Sequence, residues 1–163
     1  MKLDLNSKTL VLLQGLPGAG KSTFVKKWEL EGYTLCKDEF RILAGCVKDG
    51  EISQDSNGII KRIVYMLLEE RLKNGVFTVI DETNIFNTTV EKYSEYAQKY
   101  GFDVVIVRFN TSKEECKNRQ SQRGFRAVSD ELIDHMNKFF VHTKNKSIDA
   151  DEIDGVIREG DVV

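Results

Sequence analysis

The most constraining feature of this chain is a run of eight residues, Gly15-Leu16-Pro17-Gly18-Ala19-Gly20-Lys21-Ser22, which fits G-x-x-x-x-G-K-[ST] in full. It follows the apolar run Thr9-Leu10-Val11-Leu12-Leu13 and precedes a segment with Phe24, Val25 and Trp28 at helical spacing. A strand, a glycine-rich turn and a helix in that order gather successive backbone N–H groups at the positive end of a helix dipole. Such a cradle suits phosphate oxygens. Gly15, Gly18, Ala19 and Gly20 let the backbone approach closely. Lys21 is expected to reach the β- and γ-phosphates of a nucleoside triphosphate such as ATP, and Ser22 to ligate Mg²⁺, with Thr23 in the same binding segment. The competing reading, a chance glycine turn beside a surface lysine, does not explain the flanking strand and helix.

The rest of the chain alternates short apolar runs with amphipathic segments. Strands are expected at 9–13, 33–36, 76–80 and 103–109. Helices are expected at 21–30 (closed by Gly32), 38–44 (stopped at Gly45) and 57–74 (capped by Gly75). Capping boxes at Thr88/Glu91 and Thr111/Glu114 predict helices over 88–100 and 111–119, and Ser129 predicts the N-cap of a last one. Strands that are apolar throughout and separated by helices indicate an α/β fold: a parallel sheet of four strands with helices on both faces. The acidic tail, 149–163, offers a fifth strand at Val156-Ile157-Arg158. The whole chain, 1–163, reads as one domain.

Composition excludes other classes. Of 163 residues 40% are hydrophobic and 31% charged, which argues against disorder. No apolar run reaches the roughly 18 residues that a membrane span needs. The segment 1–6 lacks the pattern of a signal peptide. Cys36, Cys46 and Cys116 are an odd, scattered set that suits neither a disulfide framework nor a zinc site, so a cytoplasmic location is expected. With 24 Lys+Arg against 26 Asp+Glu the net charge is −2, so any contact with nucleic acid needs a local basic patch. The oligomeric state is not legible.

Ligands of an open parallel sheet bind outside the carboxyl ends of its strands. Asp38, Asp81 and Glu82 each follow a predicted strand. Asp38 is a candidate general base, with Arg41 at i+3 to keep it ionised and to hold an anionic acceptor. The competing reading is an N-cap aspartate with a helix-surface ion pair. Asp81 ends an apolar strand, as a carboxylate that orients Mg²⁺-bound water would, and Glu82 is open between a site residue and a solvated loop. Lys117, Arg119, Arg123 and Arg126 surround Gly124. Over about 119–128 they read as an arginine-bearing lid, with Arg119 and Arg123 on one face if the helix persists; a solvated charged face is the alternative. His135, His142, Trp28, Tyr93, Tyr96 and Tyr100 read as packing or surface residues, and Asp149, Asp151 and Asp154 as solvated.

Four ordered motifs carry a resemblance. They are Gly15 to Thr23, Lys37-Asp38-Glu39-Phe40-Arg41, Asp81-Glu82-Thr83-Asn84, and Arg119-Gln120-Ser121-Gln122-Arg123-Gly124-Phe125-Arg126-Ala127-Val128. Over about residues 9–142 the chain resembles the kinase module of bacteriophage-type polynucleotide 5′-hydroxyl kinases. The resemblance implies a P-loop kinase fold and transfer of the γ-phosphate of ATP or another NTP, with Mg²⁺, to the 5′-OH end of DNA or RNA. It implies Asp38 as general base, Arg41 on the phosphate 3′ to the acceptor nucleoside, and Arg123 on the donor phosphates with Arg119 nearby. Thr83 and Val128 then help to seat the terminal nucleotide, and the acid of the third motif is either Asp81 or Glu82. The appended phosphatase domain common in that family, with its DxDGT signature, is not expected in 163 residues. Two other readings stay open: a kinase of the same fold acting on a different hydroxyl, and a nucleotide switch or ATPase acting through a partner.

Overall fold

A computed structural model describes residues 1–143 and 145–161. The strands are β1 (Lys2–Asp4), β2 (Thr9–Gln14), β3 (Thr34–Leu35), β4 (Val47–Lys48), β5 (Glu51–Ile52), β6 (Thr78–Asp81), β7 (Asp103–Arg108), β8 (Ile148–Asp149) and β9 (Gly155–Ile157). The helices are α1 (Lys21–Lys27), α2 (Lys37–Leu43), α3 (Asn57–Lys73), α4 (Asn87–Lys99), α5 (Lys113–Gln120) and α6 (Asp130–Phe140). The central sheet has five strands in the order β3-β6-β2-β7-β8, every neighbouring pair parallel. Among the described residues no helix is long and apolar enough to cross a membrane.

β2 runs through the middle, with Leu12 opposite Ile80 on one side and Ile106 on the other. Its side chains alternate between two cores. Val11 and Leu13 pack on one sheet face with Phe24, Val25 and Phe109; Leu10 and Leu12 pack on the other with Leu68, Leu72 and Tyr93. Because both faces are covered, Leu10 to Leu13 are wholly buried, each side chain stabilising the fold by about 1.5–3 kcal/mol through area removed from water. The phosphate-loop motif therefore follows the most firmly held strand of the sheet.

Several sequence expectations need correction. The fifth strand of the sheet is Ile148–Asp149, which pairs with Val107 and Arg108. The expected tail strand does form, one residue earlier, but it pairs with Lys2–Asp4 in a separate two-stranded ribbon. α1 stops at Lys27, three residues early, because Glu29 turns the chain with a φ of 50° and the Leu30 N–H bonds back to the Val25 carbonyl. α4 begins at Asn87 with Phe86 at its N-cap, so Thr88 lies inside the first turn and no side chain caps it. α5 is capped by Ser112, whose Oγ accepts from the Glu115 N–H at 3.2 Å. Thr111 lies one residue before the cap, and its hydroxyl donates to the Ala19 carbonyl at 2.9 Å, tying the end of β7 to the phosphate loop. Ser129 caps α6 as expected, accepting from the Leu132 N–H. An unforeseen hairpin joins β4 to β5 through Asp49-Gly50, both at positive φ, the sequence signature of a tight two-residue turn.

Candidate active site

The carboxyl ends of β3, β6, β2, β7 and β8 open into one cleft of about 1410 Å³. It takes in the phosphate loop, Asp38, Arg41, Asp81, Glu82, Thr83, Arg119, Arg123, Arg126 and Val128, so the sequence candidates from all four motifs meet at one place.

The loop is shaped by its glycines at two positions. Gly20 is the N-cap of α1 with a φ of 104°, which turns the chain sharply into the helix. Gly18, at a φ of 84°, faces α5: a Cβ there would lie 2.9 Å from the Cys116 carbonyl oxygen and 3.0 Å from the Gln120 amide nitrogen. The Lys21 ammonium, almost fully buried, donates to the carbonyls of Gly15 and Leu16, both at 2.8 Å. Burial lowers its pKa to about 8, despite the nearby Asp81 carboxylate, which acts the other way. The Ser22 hydroxyl donates to Asp81 Oδ2 at 2.9 Å. Burial raises the Asp81 pKa, with Lys21 and the Ser22 hydroxyl opposing the shift.

The two adjacent acids at the end of β6 take different partners. Asp81 faces the loop helix. Glu82 faces the other way, accepting from Lys37 Nζ at 2.8 Å and from the Tyr93 hydroxyl at 2.9 Å. Glu82 thus ties the first residue of α2 to α4, and α2 carries Asp38. Burial raises the Tyr93 pKa, and its contact with the Glu82 carboxylate adds to the shift. The reading of Tyr93 as a packing residue is correct for its ring and incomplete for its hydroxyl.

On α2, Arg41 NH1 donates to Asp38 Oδ1 at 2.6 Å and NH2 to Asn57 Oδ1 at 2.7 Å. Arg41 is buried, whereas the Asp38 side chain is half exposed to the cleft. Asn57, the first residue of α3, had no local signal, since it reaches Arg41 across the hairpin. The buried Asn84 side chain, with φ of 47°, donates to the Leu13 carbonyl at 2.8 Å and locks β6 to the start of the loop. The Thr83 carbonyl accepts from the Gly15 N–H at 3.0 Å, which locks the same junction.

The arginines separate. α5 ends at Gln120, so Arg119 and Arg123 do not share a helix face. Arg119 packs on the loop: its Nε donates to Glu115 and its NH1 to the Gly18 carbonyl at 3.2 Å. Arg123 follows the helix, lines the cleft and acts electrostatically on both Lys21 and Asp81. Arg126 crosses to α2 and pairs with Glu39 at 2.8 Å. The Val128 N–H donates to Gln120 Oε1 at 3.1 Å.

The residues fit Mg²⁺. A hydroxyl and a carboxylate meet beside the loop, and Mg²⁺ uses one or two such ligands together with substrate phosphates and waters. Among the described residues no cluster of three or more His, Cys, Asp or Glu could bind a metal unaided.

Comparison with known proteins agrees with this architecture. The family model for an AAA domain matches residues 10–142. Among curated proteins, 2′,3′-cyclic-nucleotide 3′-phosphodiesterase of Rattus norvegicus is 27% identical over 135 residues, covering 77% of this chain and 30% of that protein. L-seryl-tRNA(Sec) kinase of Methanococcus maripaludis is 25% identical over 142 residues, covering 80% of this chain and 52% of that protein. The chain thus spans about a third to a half of the length of these relatives. Among solved structures, a chain of the Pnkp1/Rnl/Hen1 RNA repair complex superposes with a TM-score of 0.72 at 24% identity, covering 85% of this chain and 46% of that one. The fold is that of the P-loop kinases.

Proposed function

The chain belongs to the AAA domain family, and from that premise we propose that it is a polynucleotide 5′-hydroxyl kinase, moving the γ-phosphate of ATP or another NTP to the 5′-OH end of DNA or RNA. One observation carries the reading: the Asp38–Arg41 pair opens into the same cleft as the phosphate loop and lies close enough to act on the Asp81 carboxylate. A carboxylate beside a buried arginine provides both a base for an attacking hydroxyl and a partner for the acceptor's phosphate.

In this mechanism Asp38 takes the proton of the 5′-hydroxyl as it attacks. Arg41 trades its Asn57 contact for the phosphate 3′ to the acceptor nucleoside and keeps its contact with Asp38. Lys21 leaves the Gly15 and Leu16 carbonyls for the donor phosphates, and Arg123 closes on the transferring group. Thr83 and Val128 border the terminal nucleoside. Mg²⁺, held by Ser22 directly and by Asp81 through water, would offset phosphate charge when bound. Catalysis of this kind is mostly positioning and electrostatics.

The deciding experiment offers labelled ATP with a 5′-OH oligonucleotide, in parallel with nucleosides, sugars and other small hydroxyl compounds. Label on the oligonucleotide end is expected; label only on a small compound overturns the reading in favour of another acceptor. Hydrolysis without any acceptor would instead favour an ATPase module.

The buried lysine adds a pH prediction. Lys21 loses its proton as pH rises through about 8, whereas a phosphate ligand needs the ammonium form. Nucleotide affinity should therefore fall between about pH 8 and 10, and binding near pH 8.5 should take up a proton. Calorimetry in two buffers of different ionisation enthalpy reads this directly, and identical apparent enthalpies would refute it. Stability runs the other way: below about 8 the buried charge costs stability, and that cost is relieved between the folded value and the unfolded value near 10.5.

A further inference from the structure

Beside the active-site cleft lies a second groove of about 280 Å³, between the start of α4 and the end of α6. Phe86, Asn87, Lys138, Phe139 and His142 line it, and Phe86 also lines the cleft, so the two adjoin at that ring. The Phe86 and Phe139 rings pack with centroids 5.0 Å apart, yet 38% and 42% of these residues remain exposed. Burial of each other does not use them up.

The charge around the groove is one-sided. Its lining residues include Lys138 and no Asp or Glu, in a chain of net charge −2. Lys138 and His142 make no ion pair among the described residues, unlike Lys113 and Lys117 on the neighbouring helix, which are both committed to Asp134. Exposed aromatic faces beside an uncommitted lysine and an imidazole that can hydrogen-bond suit single-stranded nucleic acid, whose bases stack and whose backbone is anionic.

We propose that this groove is the track for the nucleotide following the terminal one, with its base stacked on Phe139, flanked by the tilted Phe86 ring, and its phosphate beside Lys138 and His142. The proposal rests on the functional reading above, since a strand whose end lies in the cleft passes the adjoining groove. It makes the acceptor a short single strand: specificity increases over the first few nucleotides and then levels off.

The test compares nucleoside 3′-monophosphates with 5′-OH strands of two, three and six nucleotides, as DNA and as RNA. For the native protein kcat/KM should rise about tenfold between the mononucleotide and the short strands, with either sugar, and then stay flat. Phe139→Ala should remove that rise and Phe139→Trp should keep it. Lys138→Ala should reduce the slope of log KM against log salt by about 0.7 on strands. A native profile flat from the mononucleotide onward, or equal profiles for the native protein and Phe139→Ala, overturns the track. If no 5′-OH acceptor is phosphorylated, the functional reading fails separately, and fluorescence anisotropy of a labelled six-nucleotide strand decides. Binding weakened about tenfold by Phe139→Ala sustains the track; absent or equal binding overturns it.

Discussion

Asp38→Asn is expected to lower phosphoryl transfer by about 10²–10⁴-fold, the usual contribution of a positioned general base, while leaving nucleotide binding within about threefold. The separation follows from geometry. Asp38 sits on α2, whereas the loop, Lys21 and Ser22, proposed to hold the donor phosphates, follow β2. An asparagine oxygen still accepts from Arg41 NH1, so the 2.6 Å contact survives in kind. Since the Asp38 side chain is 49% exposed, the lost ion pair should cost under about 1 kcal/mol, a change of only a few degrees in Tm. Single-turnover transfer, nucleotide binding and thermal melting together check the claim. Full turnover in the variant would remove Asp38 as the base. A surviving hydrolysis rate with transfer lost would instead show that the substitution blocks acceptor activation alone.

The sequence was most informative where one local segment determines both backbone and chemistry. From Thr9 to Ser22 the apolar run, the glycines and the Lys-Ser pair are contiguous, and the strand, loop and helix form as read. Which way Asp81 and Glu82 each face was not legible, although the physics is simple. Adjacent residues of a strand point to opposite faces. Val79 belongs to the core under α1 and Ile80 to the core under α4, so Asp81 turns toward Ser22 and Glu82 toward Tyr93. The alternation could be read from sequence; which face meets which helix depended on the sheet order. The capping boxes failed for a related reason. Thr111 matches the cap pattern but lies one residue before the cap, and its hydroxyl bonds to Ala19, a partner 92 residues earlier in the chain. Asn57 and the Asp49-Gly50 hairpin are different cases: the first acts through Arg41, and the second carries a local turn signal in its own two residues.

Arg123→Ala is expected to lower kcat by about 10³-fold or more, in the range of an arginine placed on a transferring phosphoryl group, with a change of less than tenfold in nucleotide Kd. The different settings of Arg119, Arg123 and Arg126 make this a test of position rather than of charge. Arg119 is engaged by Glu115 and the Gly18 carbonyl, so its truncation should loosen the loop and weaken nucleotide binding. Arg126 is engaged by Glu39 on α2. The guanidinium of Arg123 makes no hydrogen bond or ion pair among the described residues, and it acts electrostatically on Lys21 and Asp81. Its positive charge adds to the forces that lower the Lys21 pKa, an arrangement that is unfavourable without an anion between the two cations. A γ-phosphoryl group placed there reverses the sign of that interaction, and the gain is largest when charge develops during transfer. Arg123→Lys should recover only part of the loss, because an ammonium cannot span two phosphate oxygens as the planar fork does. Equal kcat values in Arg123→Ala and the native protein would place the transition-state cation elsewhere and leave α5 as a support for the loop alone.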